Sequence, residues 1–364
     1  MFFTHCVPTN IRFGNDIIKK DKELFNAFKH AFIVTGAASG RLSGALEDVI
    51  DALKSLSIKF DIFEGIGNNP NIMQCYEIGA QARSIGADLI IGIGGGSPLD
   101  AAKAIAVYAR NDIAPTDIFK CDFANGILPI IAVPTTSGTG SEVTPWSILT
   151  VDEWQTKRSF GCSSSFPTLA FLDPKYTFNM PLDITRNTAM DAMTHGFESL
   201  ISIKASPITD ATNAYALNLF SSCMEPLAQG DVEPIREKLM LISMLTGTTI
   251  ANTGTTLMHA MGYPLTYFLQ VPHGRANVTV MPAYLNLLKK KNCVKLQSAL
   301  DALKLTFNEL TNYLAMNFPV EFNRNDADIE LWTTQTLSAS SVRNTGIDVT
   351  QDDILNAYAS LWGN

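Results

Sequence analysis

The sequence predicts an α/β unit built on a parallel sheet, followed by an all-helical unit, and three observations carry that expectation. Between about residue 30 and residue 175, short apolar runs alternate with helical stretches. From Leu182 to the end, apolar residues recur at helical spacing and strand-like runs all but vanish. At 364 residues the chain exceeds the size at which one hydrophobic core usually stops growing. The change of texture near Thr177 to Asp183 divides the chain into an α/β unit, residues 1–180, and a helical unit, residues 181–364.

Three strands stand out in the first part: His30 to Thr35, Ala87 to Ile93 and Ile127 to Val133. Each is rich in β-branched residues, as a strand covered on both faces requires, and each ends in small, turn-permissive residues. Ligands of such sheets bind at the C-terminal ends of the strands. In the second part, Ala205 to Leu227 and Pro234 to Ala251 read as long helices rich in Leu, Met and Ala.

Composition narrows the function. Hydrophobic residues make up 46% and charged residues 17%, as in a globular protein with a large core. The 27 Lys+Arg against 35 Asp+Glu leave a net charge of -8, which repels phosphate backbones and anionic lipid, so no nucleic acid and no membrane are expected as partners. The run Lys289, Lys290 and Lys291 reads as a solvated helix end. Six cysteines lie far apart with no C-x-x-C pair, which fits reduced thiols and a cytoplasmic protein. Neither an export signal nor an apolar run long enough to span a bilayer is apparent.

Gly94-Gly95-Gly96-Ser97-Pro98-Leu99-Asp100 follows a strand and opens a helix, with Ser97 expected as N-cap and Pro98 in the first turn. Glycines let the backbone approach a ligand, and the free N–H groups at the positive helix end form a seat for a diphosphate. The fit to G-x-G-x-x-G is incomplete, and spacing by itself leaves a structural tight turn and a nucleotide seat both open. A second loop of small residues and hydroxyls, Pro134 to Thr144, stands at the end of the third strand. Two such loops at neighbouring strand ends favour a ligand over a coincidence of turns.

Three of the five histidines, His195, His259 and His273, fall in the helical part. Asp191 and His195 are i and i+4, about 40° apart around a helix, so both side chains leave one face. Such a pair alone is more often a local hydrogen bond than a metal site. The second segment, His259 through His273, changes the balance, because Pro264 and Pro272 are expected to break the helix and bend both imidazoles toward the pair. One carboxylate and three imidazoles suit Fe²⁺ or Zn²⁺ better than Mg²⁺ or Ca²⁺. Glu198, at i+7 from Asp191, reads as a supporting partner of a ligand.

These segments, Gly94 to Lys103 (GGGSPLDAAK), Pro134 to Thr144 (PTTSGTGSEVT), Asp191 to Glu198 (DAMTHGFE) and His259 to Gly274 (HAMGYPLTYFLQVPHG), resemble those of the iron-containing (group III) alcohol dehydrogenases. The resemblance runs from about Ile11 to beyond Pro282. It implies a Rossmann-like, dinucleotide-binding N-terminal domain over residues 1–180 and an all-α, metal-binding and catalytic C-terminal domain over residues 181–364, the dehydroquinate synthase-like architecture, and a homodimer or larger assembly. By position, Asp191, His195, His259 and His273 match the family's four metal ligands. Gly95, Gly96, Ser97 and Asp100 match its diphosphate loop. Thr135, Thr136, Ser137, Gly138, Thr139 and Thr144 match the loop around the nicotinamide half, Asn69 lies in the matching Asn-Pro turn, and Lys157 matches a cofactor-binding lysine.

Two departures stand out. Many NAD-preferring members carry an Asp at the end of the first strand, where it binds the adenosine ribose hydroxyls; here that position is Gly36. Without that carboxylate, and with Ser39 and Arg41 beside it, the sequence predicts NADP(H) over NAD(H). Tyr263 stands where many members place a histidine, and a phenol with a pKa near ~10 does not replace an imidazole near ~6.5 as a proton shuttle at neutral pH.

The implied activity is that of an iron-type NAD(P)-dependent alcohol dehydrogenase or aldehyde reductase. It acts on a small primary alcohol/aldehyde pair, with Fe²⁺ or Zn²⁺ polarising the substrate oxygen and the proton coming from water by way of Tyr263 or the ribose hydroxyls. Rival readings are a glycerol dehydrogenase, a dehydroquinate synthase-like enzyme, which wants several basic residues at its site, and a nucleotide-binding protein whose metal is structural.

Overall fold

β2 (His30–Gly36) shows how the sheet is built, because its alternate residues enter two different cores. Phe32 and Val34 pack with Ile90, Ile105 and Tyr108 on one face, while Ala31 and Ile33 pack with Val49, Leu53, Ile91 and Phe171 on the other. A strand covered on both faces needs apolar residues at every position, which is why this run lacks the alternation of a half-exposed strand.

The chain is described by a computed structural model covering residues 2–362. It divides into two compact units, Val7–Pro181 and Leu182 onward, the latter including the short segment before Val7. The first unit holds a six-stranded sheet in which every pairing is parallel. Besides β2 it comprises β1 (Asn10–Phe13), β3 (Lys59–Ile66), β4 (Leu89–Gly94), β5 (Ile130–Pro134) and β8 (Leu169–Leu172), in the order β1-β8-β5-β4-β2-β3. The strand order reverses between β2 and β4, so the loops that leave these two strands open at the topological switch point. An antiparallel hairpin of β6 (Ser147–Val151) and β7 (Thr156–Phe160) follows the second small-residue loop.

The architecture is the expected one, a Rossmann-like parallel sheet unit and an all-helical unit, with local differences. β1 and β3 form the two edges of the sheet and carry exposed or half-buried residues, so neither reads as an apolar run. The glycine-loop helix is Gly96–Arg110, capped by Gly95 without a side-chain hydrogen bond. Ser97 is therefore inside the first turn and not the N-cap, and its hydroxyl accepts from the Asn69 amide at 3.2 Å instead.

In the helical unit, one apolar core surrounds the helix Leu182–Ile201, fourteen of whose residues are buried. The expected long helix at Ala205 to Leu227 is two: Pro207–Ser221, opened by a Ser206/Thr209 capping box with Pro207 in its first turn, and Met224–Gln229. Pro264 does not break its helix, which continues through it as Leu257–Phe268. The turn comes after Phe268, and Pro272 caps the next helix, His273–Lys290. Among the described residues no helix is long and apolar enough to cross a membrane.

Candidate metal centre and dinucleotide loops

The helix Leu182–Ile201 places Asp191, His195 and Glu198 along one buried face. Leu257–Phe268 supplies His259 from its first turn, and His273–Lys290 supplies His273 as its first residue. Their imidazole Nε2 atoms converge on a single atom, Asp191 Oδ1, at 3.9 Å for His195, 3.5 Å for His259 and 3.9 Å for His273. Donor atoms of Asp191, His195 and His259 all lie within 4.8 Å of one another. Four ligands at bond lengths of about 2.0–2.2 Å around a tetrahedral ion stand roughly 3.4 Å apart, so this spacing fits one ion.

Glu198 explains why His259 presents Nε2. Its carboxylate accepts the His259 Nδ1–H, the Thr256 hydroxyl at 2.5 Å, and the backbone N–H groups of Thr256 at 3.1 Å and His259 at 3.3 Å. Thr256, the N-cap of Leu257–Phe268, makes no side-chain cap of its own. Glu198 therefore takes that place from a neighbouring helix, an anion at a positive helix end. With Nδ1–H so engaged, the lone pair of His259 Nε2 faces the Asp191 carboxylate, and that buried nitrogen has no hydrogen-bond partner.

The electrostatics favour a cation in the same place. Burial opposes charge on His259, yet Glu198 and Asp191 carry its pKa up to about 10. Burial alone would raise the Asp191 carboxyl, but the surrounding imidazoles hold it well below the usual carboxylate range. Glu198 is likewise held low against its burial, chiefly by His259. An orphaned imidazole nitrogen beside an ionised carboxylate, with two further imidazoles, is a donor set that fits Fe²⁺ or Zn²⁺.

Asn277 was not visible as a site residue, although it stands at i+4 from His273 as His195 does from Asp191. Its side-chain amide donates to Asp191 Oδ1 at 3.0 Å and lies 3.4 Å from His273 Nε2. Tyr263 stacks on the His273 ring at 5.7 Å and 12°. The His273 side chain is 31% exposed while those of His195 and His259 are 6% and 2%, so the centre opens on the His273 side.

In the first unit, the two small-residue loops pack against each other. Gly94, at φ +146°, adopts a backbone that only glycine tolerates easily, and its carbonyl accepts from the Thr135 amide at 2.9 Å. A Cβ on Gly95 would lie 3.1 Å from Thr136 Cγ2, and one on Gly96 would lie 2.7 Å from Thr139 Cγ2. Ser137 and Gly138 are buried, and the Ser137 hydroxyl is buried without a hydrogen-bond partner. The uncapped amides at Gly96 and Ser97, with no side chain in the way, suit a diphosphate. Asn69 and Lys157 join this group, since the Lys157 ammonium donates to Asn69 Oδ1 at 2.6 Å.

Two of the residues matched by the resemblance, Asp100 and Thr144, are engaged within the unit itself. Asp100 is buried, and its carboxylate accepts from the Ser141 hydroxyl at 2.6 Å and the Ile148 amide at 2.9 Å. It holds the second loop in place against the glycine-loop helix. Thr144 also faces inward, accepting from Lys103 Nζ at 3.4 Å. Lys103, fully buried and also donating to Ser141 and to the Trp146 carbonyl at 2.6 Å each, is the cation that balances Asp100. A lysine three residues after Asp100 in an otherwise apolar helix was the available signal.

Gly36 ends β2, and a Cβ there would lie 2.8 Å from the Ser39 hydroxyl. Arg41 is near, but its guanidinium is engaged: it donates to Glu64 of β3 through Nε at 2.7 Å and Nη2 at 2.5 Å, and to Glu47 at 3.4 Å.

Parallel sheet, paired glycine and hydroxyl loops, and an Asp-His₃ cluster on helices define a metal-dependent dehydrogenase architecture. The family comparisons agree: residues 8–174 match the model of iron-containing alcohol dehydrogenases, and residues 185–362 match that of the family's C-terminal part. The chain belongs to the iron-containing alcohol dehydrogenase family. It is similar to a sulfoacetaldehyde reductase of Bilophila wadsworthia, with 33% identity over 280 residues covering 76% of this chain and 72% of that protein. An NADPH-dependent butanol dehydrogenase of Clostridium saccharobutylicum is 28% identical over 325 residues, covering 87% and 83%. Among solved structures, an iron-containing alcohol dehydrogenase of Thermotoga maritima superposes with a TM-score of 0.90 at 32% identity, covering 99% of each chain.

Proposed function

We propose that this protein interconverts a small primary alcohol and its aldehyde, with NAD(P)(H) as hydride carrier and Fe²⁺ or Zn²⁺ held by Asp191, His195, His259 and His273. The observation that carries this reading is the convergence of three imidazole nitrogens on one buried carboxylate oxygen. The bound metal would supply Lewis acidity toward the substrate oxygen, and the dinucleotide the hydride. The protein's own residues set the conditions. Asp191 offsets part of the ion's charge, Glu198 fixes the His259 tautomer, and Asn277 orients the Asp191 carboxylate. Gly95, Gly96 and Ser97 would seat the diphosphate, and Asn69, Lys157 and the Thr135 to Thr139 loop the remainder of the dinucleotide. Tyr263 supports His273 through ring stacking, and solvent on that open side delivers the proton.

The relatives are named for sulfoacetaldehyde and butanol, which share a small primary aldehyde or alcohol, and this supports the substrate class. NADP(H) use is favoured by the missing carboxylate at Gly36 and by the NADPH dependence of the butanol enzyme. Six free cysteines fit the reducing cytoplasm. Elimination on a phosphorylated acid fits poorly, since Arg275 is engaged by Glu321 and the Pro319 carbonyl and Arg158 lies over Phe119 and Trp154. A closed structural metal site fits poorly as well, given the exposed edge of His273.

The test is reductase activity of anaerobically metal-loaded protein toward a panel of short aldehydes with NADPH and with NADH. His259→Ala should lose metal and turnover together. Full turnover in that variant without metal, or no aldehyde-dependent cofactor oxidation by the loaded wild type, would overturn the reading.

A further inference from the structure

The end of β2 is where a dinucleotide fold reads the adenosine 2′ position: an acidic residue there accepts from the 2′-hydroxyl, and an arginine nearby binds a 2′-phosphate. In this chain the strand-end acid is absent and the arginine is present, in the short helix Ser39–Leu42 that follows. The acid has not vanished from the neighbourhood. Glu64 of the edge strand β3 lies in register with Thr35, the residue before Gly36, and meets Arg41 in a two-point pair. The kink after Glu64, where Gly65 adopts φ +146° and the register slips between Thr35 and Gly36, sets the end of β3 beside the end of β2.

Resting on the dinucleotide reading above, we propose that Glu64 is a specificity-determining residue for the adenosine 2′ position, because it competes with a 2′-phosphate for Arg41. A two-point guanidinium–carboxylate fork uses the same donors that a phosphate would accept from. NADP(H) binding must therefore displace Glu64 from Arg41, or share it, while bringing a second negative charge close to that carboxylate. NAD(H), with a neutral hydroxyl at this point, leaves the pair undisturbed. Glu64 thus restrains the NADP(H) preference that Gly36 permits. Arg41 is half-exposed and Glu64 less so, which leaves the guanidinium free to reorient once its partner is neutralised. Glu47, at 3.4 Å on one nitrogen only, cannot reproduce the fork.

The experiment is calorimetric binding of NADP⁺, NAD⁺, adenosine 2′,5′-bisphosphate and AMP to the wild type, Glu64→Gln, Arg41→Ala and the double variant. Glu64→Gln should tighten NADP⁺ and the bisphosphate about tenfold, with NAD⁺ and AMP changed less than about twofold, as expected for gaining one charged recognition contact. Arg41→Ala in the same background should erase that gain, and in steady state the change should fall on KM for NADPH and leave kcat alone. An unmoved NADP⁺/NAD⁺ ratio in Glu64→Gln, or an equal gain without Arg41, would overturn the inference while leaving the dehydrogenase reading intact. Wild-type protein that binds neither dinucleotide would overturn both.

Discussion

Glu198 receives the Nδ1–H of His259 and, in the same carboxylate, the backbone N–H groups that open the helix carrying that histidine. One buried anion therefore sets both the position of the helix and the tautomer of a metal ligand. Glu198→Gln separates these effects. The amide oxygen can still accept from the helix amides, but its NH₂ turned toward Nδ1 would force the proton onto Nε2, where a metal must bind. Metal affinity should fall about 10–100-fold with helical content retained, read by competition with a chromophoric chelator and by circular dichroism. A variant that holds metal as tightly as the wild type would remove Glu198 from the site.

Gly274 is required by proximity and not by backbone angle. A Cβ there would lie 1.9 Å from the Asn187 carbonyl oxygen and 3.0 Å from Asp191 Cβ. Gly274→Ala must push the start of the helix His273–Lys290 away from Leu182–Ile201, and His273 moves with it. Overpacking of this kind costs about 1–3 kcal/mol, and the more telling readout is a loss of metal affinity far from any ligand substitution. Unchanged metal binding would show that His273 contributes little to holding the ion.

Gly96 makes the corresponding prediction for the first unit. Gly96→Ala drives a methyl against Thr139 and should separate the two loops, weakening NADP⁺ and NAD⁺ alike by about tenfold or more, since 1.4 kcal/mol already accounts for that factor. Thr139→Ser removes the Cγ2 atom that would lie 2.7 Å from the new methyl and should restore part of the binding. Equal loss in the single and double variants would mean that the contact is not what the glycine preserves.

The extent to which this arrangement was legible in the sequence follows from the range of the interactions. Asp191, His195 and Glu198 announce themselves because i, i+4 and i+7 place them on one helix face, a purely local consequence of 3.6 residues per turn. The buried strands β2, β4 and β5 were equally plain, since each is covered on both faces. β1 and β3 were not, because edge strands carry polar residues that only their pairing partners explain. The role of Asp100 was hidden for a related reason: whether its carboxylate faces a ligand or the Ser141 hydroxyl depends on a loop 41 residues away, and spacing does not encode that. The same applies to Arg41, whose nearness to Gly36 is local but whose partner Glu64 arrives on another strand.

Lys103 and Glu142 give the first unit a distinctive pH dependence. Both are buried, Lys103 with Asp100 at 3.6 Å and Glu142 with the charge of Lys103 offsetting part of its burial. Burial raises the Glu142 pKa from 4.5 to about 7 and lowers that of Lys103 from 10.5 to about 8. For Glu142, folded and unfolded chains are both protonated below about pH 4.5, so burial carries no penalty there. As pH rises from 4.5 to about 7 the unfolded chain loses its proton first, and folded stability declines, by on the order of 3 kcal/mol once both are ionised. Lys103 acts on the other side: between about pH 8 and 10.5 the unfolded chain retains the proton that the folded chain has released, and stability recovers. Glu142→Gln should therefore be more stable than the wild type at neutral pH and nearly equal to it near pH 4.5, with a shallower decline between. The slope is reduced and not abolished, because Asp100, also raised by burial, titrates in the same direction. Thermal midpoints of metal-free wild type and variant across this range provide the measurement. A variant that parallels the wild type at every pH would show that Glu142 is hydrated in the folded chain.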